Sequence, residues 1–170
     1  MEKIPYSFAL LLAASVILFS SCGTGGASVE SVEINGVHWA THNVDTSGTF
    51  TRNPESAGGI FTWEEAQSAC PQGWRVPTSD ELRALNRVRG DWTMKNGVNG
   101  RFFGTYPHQI FLPAGGWRNR PNSAVRYVGS DGHYWSSDAT FHYLWFNSGN
   151  VSVRVFDRTD AGRNVRCVAE

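Results

Sequence analysis

Apolar positions change their spacing several times along this chain. An almost unbroken apolar run occupies residues Phe8 to Phe19. It is too short to span a bilayer permanently and it follows Lys3, so it reads as the core of an export signal. From Val32 to Trp39 apolar and polar residues alternate around Asn35-Gly36. Alternation predicts strand, and Asn-Gly predicts the turn of a hairpin. Asp45 to Gly59 has no period, is rich in Thr, Ser, Gly and Pro, and reads as loop.

Helical signals occur twice. Thr62-Trp-Glu-Glu65 is a capping box, in which hydroxyl and carboxylate satisfy the first helical amides reciprocally. It predicts a helix to about Ala69, with Trp63, Ala66 and Cys70 on one side and Pro71-Gln-Gly73 as its stop. Thr78-Ser-Asp-Glu81 is a second capping box; its helix turns Leu82 and Leu85 inward and stops at Gly90. From Asp91 onward helical spacing disappears. Arg101–Phe103, Ile110–Leu112, Val125–Val128, His133–Trp135, Leu144–Phe146, Val151–Phe156 and Asn164–Val168 predict brief strands between long loops. The fold class expected is α+β: two helices, then short antiparallel strands and long loops.

The 170 residues suffice for one domain with a real core. With a formal net charge of zero, nothing points to nucleic acid or an anionic membrane surface as a partner. Three Cys are present. Ser20-Ser-Cys-Gly23 resembles a bacterial lipobox, which makes residues 1–22 a signal peptide, Cys22 the lipidated residue and residues 23–31 a flexible tether before a domain at 32–170. An ordinary signal peptide with a chance Cys is the alternative. The lipid places the protein at the outer membrane or cell surface, attached to the membrane through its N-terminus. Cys70 and Cys167 remain, and a lone pair in an exported protein is most simply a disulfide; a redox or nucleophilic Cys is the other reading.

Thr62-Trp-Glu-Glu-Ala-Gln-Ser-Ala-Cys70 with a last strand bearing Cys167 resembles the C-type lectin fold. Pro71-Gln-Gly-Trp-Arg-Val-Pro-Thr78, Leu112-Pro-Ala-Gly-Gly-Trp117 and Tyr134-Trp-Ser-Ser137 are similar to the Fibrobacter succinogenes major paralogous domain, common in Bacteroidetes lipoproteins. The resemblance covers about residues 32–168 and implies a lectin-like layout in which Cys70 and Cys167 pair. Calcium-dependent sugar binding is not carried over, because Arg120-Pro121-Asn122 lacks the carboxylate of the lectin triplet. Formylglycine-generating enzymes share the Gly-Trp-Arg-x-Pro-Thr segment, but need reactive cysteines that this chain does not have to spare.

Lectin-like proteins of this kind are also targets of diversity-generating retroelements, which mutate adenines and turn Asn codons into others. Such codons cannot become Lys, Glu, Gln or Met. Residues 133–168 contain none of these four, whereas residues 23–132 contain eleven. Trp145 is not reachable from an Asn codon.

Large aromatic and Arg side chains dominate the tail, and these residue types supply most hot-spot energy in interfaces. Phe141, His142, Tyr143, Trp145, Arg154, Phe156, Asp157 and Arg158 form the expected ligand-binding surface. The ligand is a protein or a glycan, with fimbrial subunits as further partners. The function expected is non-enzymatic, adhesin-like recognition; a structural or fimbrial assembly subunit is the alternative. No cofactor is expected. His38, His42, His108, His133 and His142 lack metal-ligand spacing, so no metal is expected either.

Overall fold

The computed structural model describes residues 29–170. The apolar export run, Cys22 and most of the tether lie outside the described residues.

Ser31–Ile34 (β1) and Val37–Asn43 (β2) form the expected hairpin. Asn35 and Gly36 sit at φ 53° and 77°, the left-handed pair that a tight Asn-Gly turn requires. Arg166–Ala169 (β10) pairs with β2 on one side and with the two-residue strand Trp74–Arg75 (β3) on the other. The order in this first sheet is β1-β2-β10-β3. Arg89–Lys95 (β4), Val98–Thr105 (β5) and His108–Pro113 (β6) make a second antiparallel sheet. Gly132–Trp135 (β7), His142–Phe146 (β8) and Val151–Val155 (β9) make a third.

Helix is scarce. Both capping boxes form: Glu65 accepts from the Thr62 N–H at 2.7 Å, and Glu81 from the Thr78 N–H at 2.7 Å. The first helix, Trp63–Ala66 (α1), nevertheless has four residues and ends short of Ala69. The second, Ser79–Arg87 (α2), ends before Gly90, which belongs to β4. Strand takes 43% of the structure and helix 9%, in three small antiparallel sheets. This overturns the expected α+β, C-type-lectin-like layout of two helices followed by strands. β1 and β2 precede either helix, and α1 is a single capped turn. The physical reason is that a capping box fixes where a helix starts but not how far it runs. A helix this short gains too few hydrogen bonds to propagate without a packed face. Val125–Val128 is not a strand; it contributes a single bridge, from Arg126 to Trp117.

The core has two parts. Ile34, Trp39, Leu82, Leu85, Phe103, Tyr134, Phe146 and Val168 fill the larger. Gly132 is required there, since any side chain at that position would overlap the Phe146 ring. Ala40, Val44, Ala66, Trp135, Tyr143, Val165 and Cys167 fill the smaller. Cys70 and Cys167 form the expected disulfide, closing a sequence separation of 97.

Buried Arg side chains tie the sheets together. Arg166 is 1% exposed. Its Nε donates to Asn43 Oδ1 at 2.8 Å, Nη1 to the Ala40 carbonyl at 2.8 Å and Nη2 to the Phe111 carbonyl at 3.1 Å. Arg101 likewise donates to the carbonyls of Gly90, Asn147 and Ser148, joining β4 to the turn after β8.

Candidate functional site

The β7-β8-β9 sheet carries four of the residues singled out by sequence, His142, Tyr143, Trp145 and Arg154, and its register sorts its side chains into two faces. Directly opposed residues share a face, and so do residues two apart on one strand. Tyr134 opposes Leu144, and Leu144 opposes Val153. This face packs into the larger core. His133 opposes Trp145, Trp135 opposes Tyr143, and Tyr143 opposes Arg154. That second face is a layer of aromatic rings and cations.

Arg163 sits inside this layer. Its backbone is fixed by two hydrogen bonds with Phe61, at 2.8 and 2.9 Å. Its guanidinium carbon lies 3.9 Å from the Tyr143 ring centre, 4.2 Å from Trp135, 4.7 Å from Phe156 and 5.5 Å from Trp117. Arg163 is 1% exposed and has no carboxylate partner among the described residues. Burial lowers its pKa to about 10, which leaves it charged at neutral pH. The negative faces of four rings stand in for a counter-ion. His133 stacks on Tyr143 with ring centres 5.7 Å apart, and neither of its ring nitrogens has a hydrogen-bond partner. Burial, reinforced by Arg163 and Arg154, lowers the His133 pKa to about 3. It is therefore neutral, although Asp131 Oδ2 lies 3.9 Å from its Nε2.

The layer reaches solvent at its margin. Trp145 is half-buried, and its Nε1 donates to Asp131 Oδ2 at 3.1 Å. The exposed Arg154 lies over the Trp145 ring at 3.5 Å. Asp131 also binds the neighbouring loop, donating its backbone N–H to the Tyr127 carbonyl at 3.0 Å. That loop exposes Val125, Tyr127 and Val128. Tyr127 is held at φ 59°, a left-handed conformation that an aromatic residue rarely adopts.

The remaining sequence candidates distribute unevenly. Tyr143, 7% exposed, is a wall of the buried layer and presents no contact surface of its own. Phe156 is half-buried, edge-on to Trp117 at 6.0 Å and to Tyr143 at 6.3 Å. Phe141 packs edge-on against Trp63 at 5.0 Å, away from the Trp145 margin. His142 hydrogen-bonds Thr140 Oγ1 at 2.7 Å. Asp157 is exposed, and Arg158 is held by Asp160 through two hydrogen bonds of 2.7 and 3.0 Å. The structure thus brings Trp145 and Arg154 together and packs the Phe156 ring against Tyr143, Trp117 and Arg163. It leaves Phe141 and His142 at the other end of β8, where the Phe156 N–H donates to the Phe141 carbonyl at 3.3 Å.

Sequence reasoning missed Arg163, Asp131 and the 125–128 loop. Gly162-Arg-Asn-Val-Arg-Cys167 held the only hint of Arg163, because an Arg beside buried Val and Cys alternates into the core. No three side chains among His, Cys, Asp and Glu converge on a metal position among the described residues. Comparison of the chain with protein-family models, with curated proteins and with solved structures finds no match.

Proposed function

We propose that this chain is a non-enzymatic, lipid-anchored surface protein that recognises a protein or glycan ligand, in the manner of an adhesin. The observation that carries the reading is the solvent-facing margin formed by Trp145, Arg154 and the 125–128 loop. Trp, Tyr and Arg are the side chains that dominate interface energetics. Here they stand on a rigid base, so little ordering cost is added on binding. Arg154 lies over an aromatic ring rather than against a carboxylate, and with its Nε donating to Ser152 Oγ at 2.9 Å the two Nη groups remain for a planar acceptor.

The purified chain, with its disulfide intact, is screened against arrays of glycans and of extracellular proteins. A ligand that binds the wild type and loses at least about tenfold in affinity with Trp145→Ala/Arg154→Ala supports the reading. Equal binding by that double variant overturns it. Sequencing of the locus across many cells tests the diversification idea separately. Substitutions confined to the tail, with a near-copy of the tail codons nearby, support it; a clonal tail with no second copy ends it.

One observation favours a structural role instead. β9 has a neighbour on one side only, and Val155 on it is 62% exposed. An uncovered edge invites a strand from another subunit. Concentration-dependent assembly that is abolished by Val153→Pro, with the arrays silent, selects that reading.

A further inference from the structure

The second sheet carries a pair of hollows that none of the tail residues lines. A hollow of about 490 Å³ is bounded by Arg87, Arg89, Asp91, Phe102, Tyr106 and Gln109. A second, of about 310 Å³, shares Phe102, Tyr106 and Gln109 with it and extends to Lys95 and Pro107. Tyr106 stands between them with 82% of its surface exposed.

The backbone is irregular where the larger hollow opens. β4 and β5 are in register at Arg89–Phe103 and again at Trp92–Arg101, so β4 carries one extra residue between them. Such a bulge re-aims side chains and interrupts the pleat. On the facing strand Gly104 is held at φ 97°, and a side chain there would overlap the His108 carbonyl. The bulge residues Gly90 and Asp91, with Phe102 and Gly104, line the larger hollow.

The polar groups around it are uncommitted. Neither the Arg87 nor the Arg89 guanidinium has a hydrogen bond or a carboxylate within 4.0 Å among the described residues. Among the same residues the Tyr106 hydroxyl has no hydrogen-bond partner. By contrast, Lys95 in the neighbouring hollow is already paired with Glu55 at 2.7 Å. The larger hollow therefore offers two free guanidinium groups against the single carboxylate of Asp91, beside an exposed aromatic ring. Arg is suited to bidentate contact with carboxylates, and Arg with Tyr is the composition of an interface core.

We infer that this groove is a second recognition site, which takes an acidic peptide segment of a partner protein. Its carboxylates lie on Arg87 and Arg89, and an apolar or aromatic side chain enters the hollow between Phe102 and Tyr106. The inference is independent of the margin at Trp145, and its residues lie outside the tail.

The probes are a random Glu/Tyr copolymer, poly-Glu and a Lys/Tyr copolymer, titrated against the disulfide-intact chain in physiological salt. The Glu/Tyr copolymer is expected to bind at least about tenfold more tightly than poly-Glu, and the Lys/Tyr copolymer not at all. Arg89→Glu and Tyr106→Ala are each expected to weaken binding about tenfold or more, whereas Arg126→Glu and Trp145→Ala leave it unchanged. Both test positions are exposed, so the variants fold. Equal binding of poly-Glu and the copolymer, or binding indifferent to Arg89→Glu and Tyr106→Ala, overturns the site. Tighter binding of an acidic polysaccharide such as alginate, lost in the same variants, overturns the peptide as its occupant.

Discussion

Arg163 and Tyr143 are stacked in the interior with the guanidinium carbon 3.9 Å from the ring centre. A cation buried without an anion costs several kcal/mol unless something replaces the water it lost. Here the replacement is four aromatic faces. Tyr143 and Trp135 lie on the sheet face that also carries Trp145 and Arg154, so the proposed binding margin and the buried cation share one layer.

Arg163→Ala removes the filling of that layer. The expected loss is about 3 kcal/mol or more, as for other large-to-small changes in cores. Arg163→Lys keeps the charge but not the plane that lies against Tyr143 and Trp135, and is expected to cost about 1–2 kcal/mol. Urea denaturation followed by tryptophan fluorescence measures both. A Lys variant as stable as the wild type removes the stacking argument.

His133 sets an acid limit. Its pKa falls from 6.5 to about 3 on folding, chiefly through burial. Between those values the unfolded chain holds a proton that the folded chain refuses. Stability therefore falls as pH drops from about 6.5 toward 3, at up to about 1.4 kcal/mol per unit. His133→Phe keeps the stack against Tyr143 without the titration. Its stability is expected to fall less steeply over the same window. Asp138 and Glu81, whose pKa values are also lowered in the fold, remain in both proteins, so the difference in slope isolates His133.

The disulfide closes a separation of 97 residues. In the chain-entropy model a loop of that length is worth about 4.7 kcal/mol. Cys70→Ala/Cys167→Ala is expected to lose most of this, read as a lower denaturation midpoint, with a steeper slope because the uncrosslinked unfolded chain exposes more surface. A midpoint matching the wild type would show that the reduced chain is already constrained by other means.

Glu81 closes the second capping box and also accepts two bonds from Arg75, at 2.7 and 2.8 Å. The Arg75 bonds come first among the causes that lower its pKa. Glu81→Ala is expected to cost about 1–2 kcal/mol, combining a lost cap with a lost bidentate pair. Differential scanning calorimetry reads the shift, and a change no larger than that of Glu64→Ala would deny the pair any net value.

The parts of this fold that were legible in the sequence are those decided within a few residues. The Asn35-Gly36 turn and both capping boxes depend on local chemistry and appear in place. The disulfide is the exception: it spans 97 residues and was legible only because two cysteines remained to pair. The second hairpin carried the same kind of signal and was overlooked: Asn96 and Gly97 sit at φ 48° and 81° between β4 and β5. Its first strand, Arg89-Gly-Asp-Trp-Thr-Met-Lys95, has no β-branched run to announce it. The length of α1 depends on what packs beside it, which no local pattern records. The site was legible only in part. Trp145 and Arg154 were found as residue types, but Arg163 was not, because charged side chains are rarely fully buried without an anionic partner. Tyr143 reads as a surface aromatic for the complementary reason: its partner is a cation that no local pattern places inside.

β10, residues 166–169, lies between β2 and β3 in the first sheet. A chain delivered N-terminus first, from a ribosome or through a secretion pore, therefore displays β1 and β2 long before their neighbour arrives. Until residue 169 emerges, β2 has one partner, Cys70 has no mate, and Arg166 cannot reach Asn43, Ala40 and Phe111. The last strand thus acts as the closing stitch: everything sewn before it stays an open thread, and the knot is tied only when β10 is in place.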